Sequence, residues 1–124
     1  MNDHSFYLTR LSIIFRVGAI HGLPLLMIKV AKTSEIPLNA GKIVQVSNEV
    51  IAVFNVDGKF CAVDNSCPHR GGPLGEGDLN GSVVTCPWHS WQFDVATGEC
   101  PDIPGEKLKT YPCVVEGEDI LIEI

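Results

Sequence analysis

The sequence predicts an all-β protein. From Met27 onward, short runs rich in β-branched and aromatic residues are separated by turn residues such as Asp57-Gly58 and Asn80-Gly81, and the apolar residues lack helical periodicity. The length of 124 residues suits one domain with an ordinary apolar core. The predicted strands span residues 28–31, 42–47, 50–56, 59–63, 82–86, 90–93, 107–115 and 119–124.

Turn signals separate these strands. Asp57-Gly58 lies between strands 50–56 and 59–63 and predicts a tight hairpin, because both turn positions tolerate a positive φ. Further turns are predicted at Asn80-Gly81, at Thr97-Gly98 and at residues 116–119, which precede the closing strand.

Residues 1–26 differ from the rest of the chain, since their apolar residues surround isolated arginines. Arg16 divides the apolar stretch, His21 and Pro24 interrupt what remains, and no uninterrupted run approaches the ~20 residues of a membrane helix. We therefore expect residues 27–124 to form the domain, with no membrane segment, and 1–26 to be an atypical extension. Met27 is the expected natural start of translation.

Two short motifs place thiolates beside imidazoles. Cys67-Pro68-His69 and Cys86-Pro87-Trp88-His89 each supply one cysteine and one histidine. A Rieske-type 2Fe-2S centre uses this ligand set, with sulfur on one iron and nitrogen on the other. A structural zinc site is the alternative, although the single residue between Cys67 and His69 is a poor match to zinc-finger spacing.

The residues that flank these motifs carry a family resemblance. CPHRGG (67–72) and CPWHSW (86–91) resemble the two cluster loops of Rieske ferredoxins, and the similarity extends over residues 28–124. The resemblance implies three small antiparallel sheets, with the cluster loops projecting as a subdomain. It also implies one Rieske 2Fe-2S cluster, with cysteine ligands on the buried iron and histidine ligands on the iron nearer solvent. The predicted ligands are Cys67, His69, Cys86 and His89.

The implied function is electron transport as part of a dioxygenase system. Soluble Rieske ferredoxins carry single electrons from a flavin reductase to a terminal, aromatic-ring-hydroxylating oxygenase, through transient docking. On this interpretation the protein is a monomeric, non-catalytic component of an oxidoreductase system. The alternative is a small Rieske subunit held in a reductase complex, such as assimilatory nitrite reductase.

Charge and cysteine usage restrict partners and compartment. The formal charge of −6, with no basic stripe, argues against nucleic acid. High-potential Rieske relatives carry a disulfide between the cluster loops, whereas this chain has Gly72 and Trp88 at those positions. A reducing, cytoplasmic location is expected. Cys61 and Cys113 lie in strand-like runs and are predicted to be small core residues.

The resemblance also predicts a low redox potential. High-potential relatives have Ser and Tyr hydroxyls that donate to the cluster sulfurs, and the matching positions here are Trp91 and Phe93. The residues around the histidines are expected to form the docking rim. For Trp88 the alternative is that its side chain is partly buried against the second loop. The rim residues are Pro68, Arg70, Pro73, Trp88 and Ser90.

Overall fold

The computed structural model describes residues 14–20, 23–68, 70–88 and 90–124. They form an all-β fold, which confirms the predicted class, with two short 3-10 turns at Thr33–Glu35 and Leu74–Glu76. The strands are β1 Ile14–Ile20, β2 Leu23–Lys32, β3 Gly41–Val46, β4 Glu49–Val56, β5 Lys59–Asp64, β6 Asp78–Asn80, β7 Val83–Thr85, β8 Gln92–Asp94, β9 Thr110–Tyr111, β10 Cys113–Glu116 and β11 Asp119–Ile122.

The strands form three small antiparallel sheets, as the family resemblance implied. Their orders are β1-β2-β11-β10, β3-β4-β5-β9 and β6-β7-β8. Two strands were not predicted. β1 lies in the N-terminal extension and pairs with a β2 that begins at Leu23, five residues before the predicted start at 28. β6 has the sequence Asp-Leu-Asn, whose polar residues give no strand signal, and it is defined by its pairing with β7.

Pro112 divides the predicted strand 107–115 into two, so that prediction is wrong. β9 pairs with β5 through Ala62 and Tyr111, whereas β10 pairs with β11 in another sheet. Proline lacks the N–H that would continue a ladder, while the Pro112 carbonyl still accepts a hydrogen bond from the Glu123 amide at 3.0 Å. The proline is therefore the corner at which the chain leaves one sheet and enters the next.

The Asp57-Gly58 hairpin is confirmed. Asp57 and Gly58 have φ of 55° and 94°, and the flanking residues Val56 and Lys59 pair directly. The side chain of Asn55 supports this hairpin. Its carbonyl oxygen accepts from the Gly58 amide at 2.8 Å, and its amide donates to the Ile36 carbonyl, also at 2.8 Å. Asn55 is thus buried with its hydrogen bonds made, which is what a buried amide requires.

Two apolar cores meet along β4. The first core lies between the two four-stranded sheets, and the second lies towards the three-stranded sheet. Ile51 and Val53 belong to the first, whereas Ala52 and Phe54 belong to the second. Side chains alternate across a strand, so this continuous apolar run is buried on both faces.

The second core contains both motif cysteines. Cys67 and Cys86 are buried among apolar residues of the second core, which are Ala52, Phe54, Val63, Leu74, Val84, Phe93, Val95, Cys100 and Leu108. Cys61 and Cys113, predicted to be core residues, are only partly buried and pack against the edges of the two cores. Burial raises the pKa of the Cys61 thiol and raises that of Cys113 to about 12, so neither is a ready nucleophile.

A small group of titratable side chains surrounds Tyr111 in β9. Its hydroxyl donates to Oε1 of Glu49 at 3.3 Å, and the Lys109 ammonium lies 5.0 Å from the centre of its ring. Burial raises the pKa of Tyr111 to about 12, and the carboxylates of Glu49 and Asp64 add to this shift. Burial and Glu49 also raise the pKa of Asp64. The contacts of Tyr111 with Glu49 and Lys109 stabilise the position of β9 in its sheet.

Candidate metal centre

The first motif lies in a loop between β5 and the 3-10 turn at Leu74–Glu76. The Cys67 amide donates to the Gly72 carbonyl at 2.9 Å, and the Gly71 amide donates to the Cys67 carbonyl at 2.7 Å. Gly71 has φ of 79°, the left-handed conformation that glycine adopts without steric cost. These two hydrogen bonds close a tight loop directly after the cysteine.

The second motif, between β7 and β8, repeats this arrangement. The Cys86 amide donates to the Trp91 carbonyl at 2.7 Å, and the Ser90 amide donates to the Cys86 carbonyl at 3.0 Å. The donors and acceptors occupy the same offsets from the cysteine as in the first loop. Ser90 has φ of 64°, so a non-glycine residue holds the position of Gly71. Two independent parts of the chain therefore present a cysteine in the same backbone setting.

Both cysteines are buried, and the loop residues around the histidines are exposed. Cys67 and Cys86 are each 2% exposed. Pro68 and Arg70, on either side of position 69, are exposed, as are Trp88 and Ser90 on either side of position 89. His69 and His89 themselves lie outside the described residues, and so the four-residue ligand set stays a prediction.

The residues present fit the predicted cluster. Two buried sulfur donors, each presented by an equivalent hydrogen-bonded loop, match the cysteine half of a Rieske ligand set, which would hold one of the two irons. The described segments contain no group of three or more His, Cys, Asp or Glu side chains arranged for a metal ion. The two other predicted ligands, His69 and His89, lie outside those segments.

Two side chains that the sequence analysis did not identify, Asn65 and Gln92, form hydrogen bonds where the two loops begin and end. Asn65 supports the first loop, because its side-chain oxygen accepts from the Gly75 amide at 2.8 Å and its carbonyl accepts from the Leu74 amide at 2.9 Å. Gln92 donates to the Thr85 hydroxyl at 3.2 Å across the base of the second. An Asn two residues before Cys67 was the available signal, since Asn side chains often form hydrogen bonds to nearby backbone at turns.

The two positions that the resemblance matches to hydroxyl donors of high-potential relatives are aromatic in this chain. Phe93 is fully buried in the second core and carries no donor. Trp91 is half-buried, and its ring centre lies 6.4 Å from that of Phe93. This apolar surrounding agrees with the predicted low potential, which stays a prediction.

Two further predictions about the loop surroundings can be compared with the structure. Pro68, Arg70, Trp88 and Ser90 of the expected rim are exposed, and Pro73 is partly buried. Trp88 is 57% exposed, and its ring lies against Gly72 of the first loop, not against the second loop as the alternative had it. Its role in docking stays a prediction.

The fold and the paired loops define a small iron–sulfur protein, and comparison with known proteins gives its family. Residues 27–112 match the Rieske 2Fe-2S domain family, and the chain belongs to that family. Its cofactor is one Rieske 2Fe-2S cluster, which rules out the structural zinc alternative. Within the described residues, no helix is long and apolar enough to cross a membrane.

Several of the proteins similar to this chain are ferredoxins. The biphenyl dioxygenase ferredoxin subunit of Pseudomonas sp. (strain KKS102) is 40% identical over 99 residues, which cover 77% of this chain and 89% of that protein. The Sphingomonas yanoikuyae B1 ferredoxin matches with a TM-score of 0.73 and 29% identity, covering 79% of this chain and 98% of that one. The ferredoxin fold is also matched in a complex of reduced oxygenase and oxidized ferredoxin in carbazole 1,9a-dioxygenase, with a TM-score of 0.72, 28% identity and coverage of 78% and 92%.

Proposed function

We propose that this protein is a Rieske ferredoxin that carries single electrons from a flavin-dependent reductase to a terminal oxygenase of the aromatic-ring-hydroxylating type. The observation that carries the proposal is the pair of equivalent loops around buried Cys67 and Cys86. The 40% identity to a biphenyl dioxygenase ferredoxin subunit supports the choice of acceptor. When bound, the 2Fe-2S cluster supplies one-electron redox chemistry.

The proposed ligands are Cys67 and Cys86 on one iron and His69 and His89 on the other. Burial of both cysteines supports placing them on the inner iron. The exposed residues on either side of each histidine support placing the imidazoles towards solvent and the partner. An electron carrier needs its redox centre near the docking surface, and this asymmetry meets that need.

The proposed docking surface is the exposed rim of the loops, at Pro68, Arg70, Trp88 and Ser90. Transient electron-transfer contacts bury less than about 1,200 Å² in total, because a carrier must leave one partner to reach the next. A monomer with one exposed rim suits both partners. We also propose a cytoplasmic location, which the absence of paired loop cysteines at positions 72 and 88 supports.

Ligand substitution with reconstitution tests the site. Cys67→Ser, Cys86→Ser, His69→Ala and His89→Ala are each expected to abolish the visible absorption and the paramagnetic signal of the dithionite-reduced protein, because each removes an iron ligand. Cys61→Ser is the matched control, since this half-buried cysteine lies outside the loops, and it should keep the cluster. A wild-type protein that binds no iron and no acid-labile sulfide would contradict the proposal.

Reoxidation kinetics test the partner. The reduced protein is mixed with an aromatic-ring-hydroxylating oxygenase, and bleached absorption should recover at a rate that depends on oxygenase concentration. The alternative, a permanent small subunit of a reductase complex, predicts instead a stable stoichiometric complex during purification. Recovery of the protein in such a complex, with no reoxidation by the oxygenase, would favour the alternative.

A further inference from the structure

The two cluster loops touch at Gly72. Its carbonyl closes the first loop by accepting from the Cys67 amide, and its own backbone is buried. A methyl group built on its α-carbon would lie 2.7 Å from the Cys86 sulfur and 3.1 Å from Cγ of Trp88. Both distances are shorter than ordinary contacts. The second loop therefore lies directly against the Gly72 backbone.

Trp88 has an unusual position for a large aromatic side chain. It is 57% exposed, yet the sulfur of Cys86, two residues earlier, is almost fully buried. The Trp88 Cγ and Cδ2 atoms lie on the same side of Gly72 as that sulfur, at 3.1 and 3.2 Å from the position of the added methyl group. One part of the indole thus packs between the loops, and the rest faces solvent.

We propose that Trp88 is a positioning residue, which holds the second loop against Gly72 and keeps water away from the Cys86 sulfur. The proposal rests on the proposed ligation by Cys86. Packing of an aromatic ring on a glycine supplies a non-covalent tie between two loops that have no covalent link at this point. Gly72 is required because any side chain there would occupy the space of the sulfur and the indole.

Cluster lifetime is the first readout. The purified, cluster-loaded Trp88→Ala protein is expected to lose visible absorption in an iron chelator about fivefold faster than wild type, the factor that corresponds to one lost aromatic contact. Trp88→Phe keeps an aromatic ring against Gly72 and should restore most of the lifetime. Gly72→Ala should accelerate loss as well, because its methyl group would lie 2.7 Å from the Cys86 sulfur and 3.1 Å from Cγ of Trp88 and would displace both.

The midpoint potential is the second readout, since an effect on stability alone would leave it unchanged. Opening the Cys86 sulfur to water favours the reduced, more negatively charged state, so Trp88→Ala should shift the midpoint to a more positive value. Leu38→Ala is the matched control, because Leu38 is a similarly exposed apolar side chain, at 61%, outside the cluster loops. It should change neither the lifetime nor the midpoint.

The outcomes separate this inference from the proposed function. If wild type holds a cluster and Trp88→Ala matches it in lifetime and potential, the inference is wrong and the proposed function stands. The inference is also wrong, and the proposed function still stands, if Trp88→Ala slows only the reoxidation by an oxygenase, since the indole would then be a docking contact. If wild type holds no cluster, the proposed function itself fails.

Discussion

Gly71→Ala measures how much the cluster depends on the left-handed turn that closes the first loop. Gly71 has φ of 79°, and among the described residues, its chain neighbours aside, no atom lies within 4 Å of an added methyl group, so the substitution introduces backbone strain without a clash there. An L-residue in this region costs about 1–2 kcal/mol, and the smaller unfolded-state entropy of alanine returns about 0.4–1 kcal/mol. The net destabilisation is therefore roughly 1 kcal/mol, which lowers the unfolding temperature by about 4–8 °C.

The assay compares two strained glycines. Gly105 has φ of 96° and equally open space around an added methyl group, but it lies in the loop after Cys100, outside both cluster loops. Gly71→Ala and Gly105→Ala should lower the unfolding temperature by similar amounts in differential scanning calorimetry. Only Gly71→Ala should also speed the loss of visible absorption in a chelator, because of the two turns only that one adjoins a proposed cysteine ligand.

Ser90→Gly provides the reciprocal change in the second loop. Relief of the strain at φ of 64° outweighs the greater unfolded-state entropy of glycine, so this variant should gain stability by less than about 1 kcal/mol. Equal chelator kinetics for Gly71→Ala and Gly105→Ala, or a marked loss of stability in Ser90→Gly, would refute the argument that both loops depend on the same turn.

Three other predictions concern the scaffold and the potential. Asn55→Ala removes one buried and one partly buried hydrogen bond and should lower the free energy of unfolding by roughly 2–3 kcal/mol, as measured by urea denaturation. Tyr111 should ionise near pH 12, which an absorbance titration of tyrosinate would detect, and Tyr111→Phe should abolish that step. The stability that the neutral phenol contributes is therefore fully present below pH ~10 and is lost as the pH rises from there to 12. Phe93→Tyr places a hydroxyl donor at a position where high-potential relatives have one, and voltammetry should give a more positive midpoint; an unchanged or lower value would contradict the low-potential argument.

The parts of the fold that the sequence predicted correctly are those encoded locally. The Asp57-Gly58 hairpin needs only two residues that tolerate positive φ, and both have it. The strands at 50–56 and 59–63 follow from runs of β-branched and aromatic residues, and the structure matches them to within one residue at each end.

The parts that were missed depend on contacts between distant segments. β6 is a strand because β7 pairs with it, and its own composition gives no indication of this. The sequence contained Pro112, which could have predicted a break, but the assignment of β9 and β10 to different sheets depends on β5 and β11. Sequence comparison of the two motifs also does not reveal that Ser90 takes the conformation of Gly71, because serine rarely adopts it.

The candidate site was predicted from chemistry, and the arrangement around it was not. The spacing of cysteine and histidine identified the loops, and the family match over residues 27–112 confirms the Rieske assignment. The contact of Trp88 with Gly72 and the support from Asn65 involve backbone atoms and side-chain directions. Residue types alone do not determine these.

The burial of β4 on both faces has a consequence for how this domain can change during evolution. Odd-numbered positions such as 51 and 53 contribute to the packing between the large sheets, and even-numbered positions such as 52 and 54 contribute to the packing beneath the cysteines. Selection on thermal tolerance and selection on the redox centre can therefore act on alternate residues of a single strand. An inserted or deleted residue in β4 would move every side chain beyond it to the opposite face, so that residues of one core would point into the other. This strand should therefore resist length variation more strongly than any loop.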